Sequence, residues 1–312
     1  MRVVFIGASK FGLRCLRHIH DIDACEIVGV VTSPQEFKIS YSPNAVTNVL
    51  HADVATFAKS EGIEAIQMLR GMNDPDLMKI VQSWKPDAFL VVGWYHMVPK
   101  SWRDMAPAYG MHASLLPDYS GGAPLVWAMI NGETRTGITL FRFDDGVDSG
   151  PVVGSSSTPI LYDDTIATLY ERIEDIGLTL LDYYFPRVCK GVTEFSQQDE
   201  NRRRVFPQRS PNDGRIDWSW PAERVRNFIR AQTSPYPGAF TFLDSNRVTL
   251  WDCELSSKTT SLQTAGCFLF IADKVHVKCG DDKGVVISSL KVESRTLYCN
   301  WRELFFTCDC FN

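Results

Sequence analysis

Residues 3–7, VVFIG, form a short apolar run with no polar face. Phe11, Leu13, Cys15, Leu16 and Ile19 follow in a helical pattern, and residues 26–32, EIVGVVT, form a second apolar run. A parallel strand covered on both faces reads as a continuous apolar run, so strand, helix and strand in this order predict the opening of a parallel α/β sheet. Residues 87–92, DAFLVV, add another buried strand, and runs near 107–112, 136–143 and 151–159 complete the sheet. A weak strand near 63–66 lies between helical stretches at 52–60 and 74–83, and residues 33–50 read as a long loop. From the N-cap residue Asp164 to about Pro186, the residues Ile166, Leu169, Ile173, Ile176, Leu180 and Tyr184 recur at helical spacing.

The pattern changes at about residue 190. The stretch QQDENRRRVFPQRSPNDGRIDW is polar, carries two prolines and a glycine, and reads as a linker. One short helix near 221–232 precedes β-type runs at 237–243, 247–253, 266–271, 275–279 and 284–291, separated by turn sequences. This second part is predicted to be a small β-barrel or sandwich. A chain of 312 residues has room for two domains, placed at residues 1–200 and 201–312.

Lys and Arg total 32 against 37 Asp and Glu, a net charge of -5. That balance disfavours nucleic-acid binding through bulk charge and leaves room for a local basic patch. No apolar run approaches the roughly 18 residues of a membrane span, so no membrane partner is expected. The start goes straight into a strand pattern without a leader signature, and the nine cysteines are odd in number with no CxxC pair. The expectation is a cytoplasmic protein with reduced thiols. Cys308-Asp309-Cys310 supplies too few ligands for a metal, and none is expected.

The turn Gly7-Ala8-Ser9-Lys10-Phe11-Gly12 joins strand to helix, where a dinucleotide fold needs G-x-G-x-x-G. Ser9 stands at the middle glycine, and the second strand ends Val31-Thr32-Ser33 rather than in an acidic residue that would hold a ribose. The turn therefore reads as a helix start rather than a NAD site, and Lys10 lacks the GK[ST] context of a phosphate loop.

The chemistry concentrates in residues 109–150, YGMHASLLPDYSGGAPLVWAMINGETRTGITLFRFDDGVDSG. Alone, His112 reads as a structural histidine and Asp148 as a turn residue. Together they suggest an imidazole at a strand end and a carboxylate on a neighbouring loop. A carboxylate beside a histidine fixes its tautomer and supports proton transfer during attack on a carbonyl.

His112, Ser114-Leu115-Leu116-Pro117, Gly121 to Pro124, Thr136-Gly137-Ile138-Thr139 and Asp144-Asp145-Gly146-Val147-Asp148-Ser149-Gly150 follow in one order. This stretch resembles the 10-formyltetrahydrofolate-dependent formyltransferases, a family that includes methionyl-tRNA and sugar-nucleotide members. The resemblance continues in Asp213 to Ser219, in Pro235 to Phe240 and in the β-rich tail. It implies a Rossmann-like catalytic domain followed by a smaller OB-like β domain. It also implies that a primary amine attacks the formyl carbon of 10-formyltetrahydrofolate. His112 would move protons and stabilise the oxyanion, and Asp148 would orient His112 and balance its charge through a water. The pterin of the donor would lie against Gly93, Trp94, Tyr95, His96 and Met97, with Asp144, Asp145, Gly146 and Val147 closing the other side. Trp94 and Tyr95 read equally well as core residues.

One position departs from the family. The Asn expected two residues before the histidine, a donor to the oxyanion, is Gly110. Three readings stay open. Another donor, such as a backbone N–H, a water or His96, replaces it; this reading is favoured by the retained His–Asp pair. The second is hydrolysis of the formyl donor, as in the folate-hydrolysing domain of formyltetrahydrofolate dehydrogenase, which resembles this family and also lacks the Asn. The third is a weakly active homologue that binds folate.

For the acceptor, the tRNA-bound members carry a basic loop after the second strand. The corresponding Ser33 to Leu50 has a single cation, Lys38, and a single anion, Glu36. Arg202-Arg203-Arg204 reads as a solvated linker face, and Ser120 stands where many relatives have Arg. The expected acceptor is therefore a small amine, including a nucleotide-linked amino sugar, with methionyl-tRNA as the alternative.

Overall fold

In the computed structural model, which describes residues 1–38, 45–259, 261–272, 274–293 and 310–311, β1 (Arg2–Ile6) lies inside a seven-stranded sheet and is fully buried from Val3 to Ile6. Along the chain follow α1 (Lys10–His20), β2 (Glu26–Thr32), β3 (Glu36–Phe37), β4 (Val46–Thr47), α2 (Val54–Ser60), β5 (Ala65–Gln67) and α3 (Pro75–Ser83). Then come β6 (Ala88–Val91), α4 (Lys100–Arg103), β7 (Ala108–His112), β8 (Ser120–Gly121), α5 (Pro124–Ile130), β9 (Arg135–Arg142), β10 (Val152–Pro159) and α6 (Ile166–Cys189). The sheet order is β10-β9-β7-β6-β1-β2-β5. The pairs β1–β2, β1–β6, β2–β5 and β6–β7 are parallel. β9 runs antiparallel to β7, so the sheet is mixed rather than parallel throughout. An antiparallel edge on a parallel sheet is a common ending, and here it sets Thr139 opposite His112.

This sheet belongs to the first of two compact units, formed by residues 1–121, 136–158 and 172–205. Strand order reverses around β1, with β6 on one side and β2 on the other. The crevice at the carboxyl ends of the strands beside such a reversal is where open α/β sheets bind ligands. Gly7 and Gly12 are glycines for packing: a Cβ on either would press into the carbonyl oxygen of Val92, the residue that follows β6. Ser9 caps α1 by accepting from Gly12 N–H at 3.0 Å, which takes up one of the free N–H groups that a bound phosphate would use. The sheet is braced from the side by α6. Arg14 of α1 pairs with Glu174 at 2.8 Å and with Asp175 at 2.6 Å. Gly177 lets α6 approach Phe11, Ile138 and Met111.

Within the long loop expected at 33–50, β3 pairs antiparallel with β4; residues 39–44 lie outside the described residues.

The second unit takes residues 122–135, 159–171 and 206–312. Beyond β11 (Val205–Phe206), it contains α7 (Ala222–Arg230), β12 (Ala239–Leu243), β13 (Asn246–Ser256), β14 (Phe268–Ile271), β15 (Lys274–Lys278) and β16 (Gly284–Glu293). The five strands β12 to β16 form an antiparallel sheet in the order β12-β13-β16-β15-β14. Among the described cysteines, the expectation of reduced thiols fails at one pair: Cys267 and Cys310 form a disulfide. Backbone pairing brings them together, because Cys267 bridges Cys310 in antiparallel fashion and Phe311 N–H donates to Gly266 O at 2.9 Å. Cys308 and Asp309 lie outside the described residues. Among the described residues, no helix is long and apolar enough to cross a membrane, and no group of three His, Cys, Asp or Glu side chains is placed to hold a metal.

Candidate active site

His112 ends β7 and its side chain is 11% exposed. Its Nε2 lies 2.8 Å from the carbonyl oxygen of Tyr119. A carbonyl only accepts, so Nε2 carries a hydrogen, and the lone pair of the neutral ring sits on Nδ1. Nδ1 faces Asp148 Oδ2 at 3.6 Å. That spacing is an ion-pair contact when the ring is charged and is longer than a hydrogen bond. The imidazole thus has one nitrogen pinned and one free to exchange a proton beside a carboxylate.

The motif residues around His112 hold this geometry. Thr139 Oγ1 donates to Ser114 O at 2.7 Å and accepts from Leu116 N at 3.2 Å, so β9 fixes the Ser-Leu-Leu-Pro turn. Gly137 leaves room for Leu115, whose side chain a Cβ there would overlap. Ser114 Oγ donates to Asp118 O at 2.7 Å, and Tyr119 adopts φ +54° with its carbonyl on the His112 ring.

Asp148 also adopts a left-handed conformation, φ +52°. For a residue with a Cβ this costs roughly 1–2 kcal/mol, so it persists only where neighbours hold it. Its Oδ2 accepts from Gly121 N–H at 2.8 Å. The carbonyl oxygens of Asp148 and Gly150 both accept from Gln198 Nε2, at 2.8 and 2.7 Å. Asp144 Oδ1 closes the start of the loop by accepting from Gly146 N–H at 2.9 Å and Ser149 Oγ at 2.5 Å. Asp145 is exposed and pairs with Arg103 at 2.8 Å, and Val147 is exposed.

The segment after β6 follows the turn at Gly93, φ +63°. Trp94 is half-buried against the core and donates Nε1–H to Met72 Sδ at 3.4 Å. Tyr95 donates to Asn48 Oδ1 at 3.3 Å, and its ring packs on Phe37 of β3. His96 lies between Phe37 and Trp94, with ring centroids at 4.9 and 5.3 Å. Its Nε2 is buried without a hydrogen-bond partner, and burial pushes its pKa down, which keeps the ring neutral. No hydrogen bond or ion pair joins His96 to His112 or Asp148 among the described residues. Met97 is exposed.

Gly110 lies two residues from His112, and a Cβ built on it would overlap Cε1 and Cζ of Phe143. The Phe143 ring, packed on Phe141 with centroids 5.1 Å apart, fills the volume that a side chain at 110 would need. The absence of Asn at 110 is therefore matched by an aromatic ring one residue before Asp144.

Arg203 and Gln198 border the site without any motif in the sequence that marks them. The Arg203 side chain is 13% exposed rather than a solvated linker face. Its Nη1 donates to Ser120 Oγ at 2.7 Å, Val147 O at 3.3 Å and Asp148 O at 3.4 Å. Its Nη2 donates to Gln198 Oε1 at 3.1 Å and Glu200 Oε1 at 2.7 Å. A guanidinium therefore stands beside Ser120, at the position where the sequence had suggested a lost cation. Arg204 clamps Asp118 through two bonds of 2.6 Å. Three arginines in a polar linker carry no sequence signal that separates the partly buried one from its neighbours.

The formyl transferase family model matches residues 1–182, and the formyl transferase C-terminal domain model matches residues 209–301. A methionyl-tRNA formyltransferase of Citrifermentans bemidjiense is 32% identical over 299 residues, covering 95% of this chain and 90% of that protein. The solved structure of WlaRD, a sugar 3N-formyl transferase, aligns with a TM-score of 0.67 at 15% identity over 92% of this chain and 97% of that one. Methionyl-tRNA formyltransferase from Clostridium thermocellum aligns with a TM-score of 0.57 at 14% identity over 94% and 99%. With both family domains matched in order along one chain, and a relative above 30% identity over nearly all of it, the chain belongs to the formyltransferase family.

Proposed function

We propose that this chain transfers the formyl group of 10-formyltetrahydrofolate to a primary amine, with His112 as the proton-transfer group and Asp148 as its partner. The observation that carries the reading is the His112 ring, pinned through Nε2 to Tyr119 O with Nδ1 facing Asp148 at 3.6 Å. The amine nitrogen attacks the formyl carbon and the carbonyl becomes an oxyanion. As the intermediate collapses, the bond from carbon to folate N10 breaks. His112 Nδ1 takes the proton that the amine loses and returns it to N10, so tetrahydrofolate leaves neutral and the acceptor leaves as a formamide. With Phe143 in the volume beside Gly110, no side chain from residue 110 serves the oxyanion. The protonated His112 ring beside Asp148 takes that role. Gly93 to Met97 and the loop Asp144 to Val147 are proposed as the walls around the folate, with Trp94 anchored in the core and Asp144 tied into its own loop.

For the acceptor we favour the amine of methionyl-tRNA over the small amine that the sequence had suggested. Relatives named methionyl-tRNA formyltransferase are 30–33% identical over 80–95% of this chain, whereas WlaRD, at 15% identity, supports a shared fold alone. An amino-sugar nucleotide remains the second reading, because Lys38 is the single cation in Ser33 to Leu50. An acceptor panel decides between them. Methionyl-tRNA should be formylated with a KM that rises steeply with salt, as phosphate contacts demand. Formylation of a nucleotide amino sugar alone would overturn the tRNA choice, and formate release without any amine would replace transfer by hydrolysis.

The β12 to β16 sheet is proposed as the OB-like domain of the family, on the support of its five antiparallel strands.

A further inference from the structure

Asp148 sits in a left-handed backbone conformation, φ +52°, and the groups that hold its peptide come from the linker at residues 198–203. Gln198 offers both amide hydrogens to the carbonyl oxygens on either side of Ser149, those of Asp148 and Gly150. The opposite end of the same amide, Oε1, accepts from Arg203 Nη2 at 3.1 Å. Arg203 in turn reaches Ser120 Oγ and the carbonyls of Val147 and Asp148. Glu200 neutralises it and fixes its plane through bonds of 2.6 and 2.7 Å. The guanidinium and the amide are both planar donors of fixed geometry, so the pair sets the position of the peptide that carries Asp148 rather than merely attracting it. Gly121, the next residue after Ser120, gives its N–H to Asp148 Oδ2. The same linker cluster therefore grips the Asp148 backbone and borders the donor to its carboxylate.

From this geometry we infer that Gln198 and Arg203 are positioning residues, which act through Asp148 to hold its carboxylate against His112 Nδ1. The inference rests on the proposed roles of His112 and Asp148, and it adds a requirement that those roles do not contain. The linker's ordered state and the activity of the site are coupled, because the same side chains serve both.

Gln198→Glu is the sharpest variant. It keeps the oxygen that Arg203 binds and removes the hydrogens given to the two carbonyls. We expect its kcat to fall roughly 10- to 100-fold, in the range of a small misplacement of a reacting group, with KM for donor and acceptor within about twofold. Gln198→Ala should behave alike. In an Asp148→Ala background, Gln198→Glu should cost nothing further, since a residue acting through Asp148 has nothing left to position. Equal fold losses in both backgrounds, or unchanged kcat in both Gln198 variants, would overturn the inference. A readout independent of turnover separates this from the functional reading itself. The ring resonances of His112 in Gln198→Glu should move toward those of Asp148→Ala, while those of His18 and His276 stay in place. Unmoved His112 resonances would overturn the positioning role whatever the protein's substrate. Absence of formyl transfer by the wild-type protein would overturn the function and leave the resonance test to decide the clamp.

Discussion

At residue 110, a side chain and the Phe143 ring compete for one volume. The direct prediction is that Gly110→Asn alone does not raise activity and loses stability by about 1–3 kcal/mol, the usual cost of overpacking. Unfolding in urea measures this. Pairing Gly110→Asn with Phe143→Leu should lose less stability than the sum of the single variants, because the smaller side chain frees the same space. Strictly additive losses would contradict the shared volume. A second prediction concerns His96. Its pKa is lowered by burial, so below about 6.5 the unfolded chain takes up a proton that the folded ring refuses. Stability should fall as pH drops through that value toward the lower folded one, and His96→Phe should flatten this part of the stability profile. An unchanged slope in the variant would place the acid sensitivity elsewhere, for example at His276, whose pKa burial also lowers. Residue by residue, the sequence made the His112–Asp148 pair legible, because both lie in a dense motif. The Phe143 ring was not legible, since a single chain does not show that a glycine in β7 and a phenylalanine 33 positions later, just after β9, share a space.

The elements that carry the site were legible where they are uniform. Apolar runs gave β1, β2 and β6, and the helical spacing from Ile166 gave α6. What stayed hidden were the elements made by long-range pairing. The β3–β4 pair has only two residues on each side, and no apolar alternation of that length rises above a loop. The antiparallel direction of β9 has no local signature either, because its buried run reads the same in both directions. The linker's role was illegible for a different reason: polar side chains that grip backbone carbonyls look like solvated ones in a string of letters. At this scale the turn after β6 is the most exposed to test. Gly93 has φ +63°, and a Cβ there would overlap Ser9, the N-cap of α1. Gly93→Ala should therefore destabilise the first unit by about 1–3 kcal/mol through strain at a left-handed position. A variant as stable as the wild type in urea would show that Ser9 and the turn yield without cost.

For the molecule as a whole, two units with separate sheets come from one chain, and the residues proposed for chemistry all lie in the first. The net charge of -5 says little about the acceptor, because a tRNA amine is recognised by local cations and not by the total. Local charge is also where the sequence view changes most. Arg203 from the linker places a guanidinium beside Ser120, where it is already paired with Glu200. Formyl transfer that depends on His112 shows itself in the stoichiometry of the two products. Wild-type protein with 10-formyltetrahydrofolate and methionyl-tRNA should yield formylated methionyl-tRNA and tetrahydrofolate in equal amounts by mass spectrometry. His112→Ala should slow both products together by about 10²-fold or more. Tetrahydrofolate formed without a formylated acceptor, or a His112→Ala variant that turns over at the wild-type rate, would rule out formyl transfer by His112.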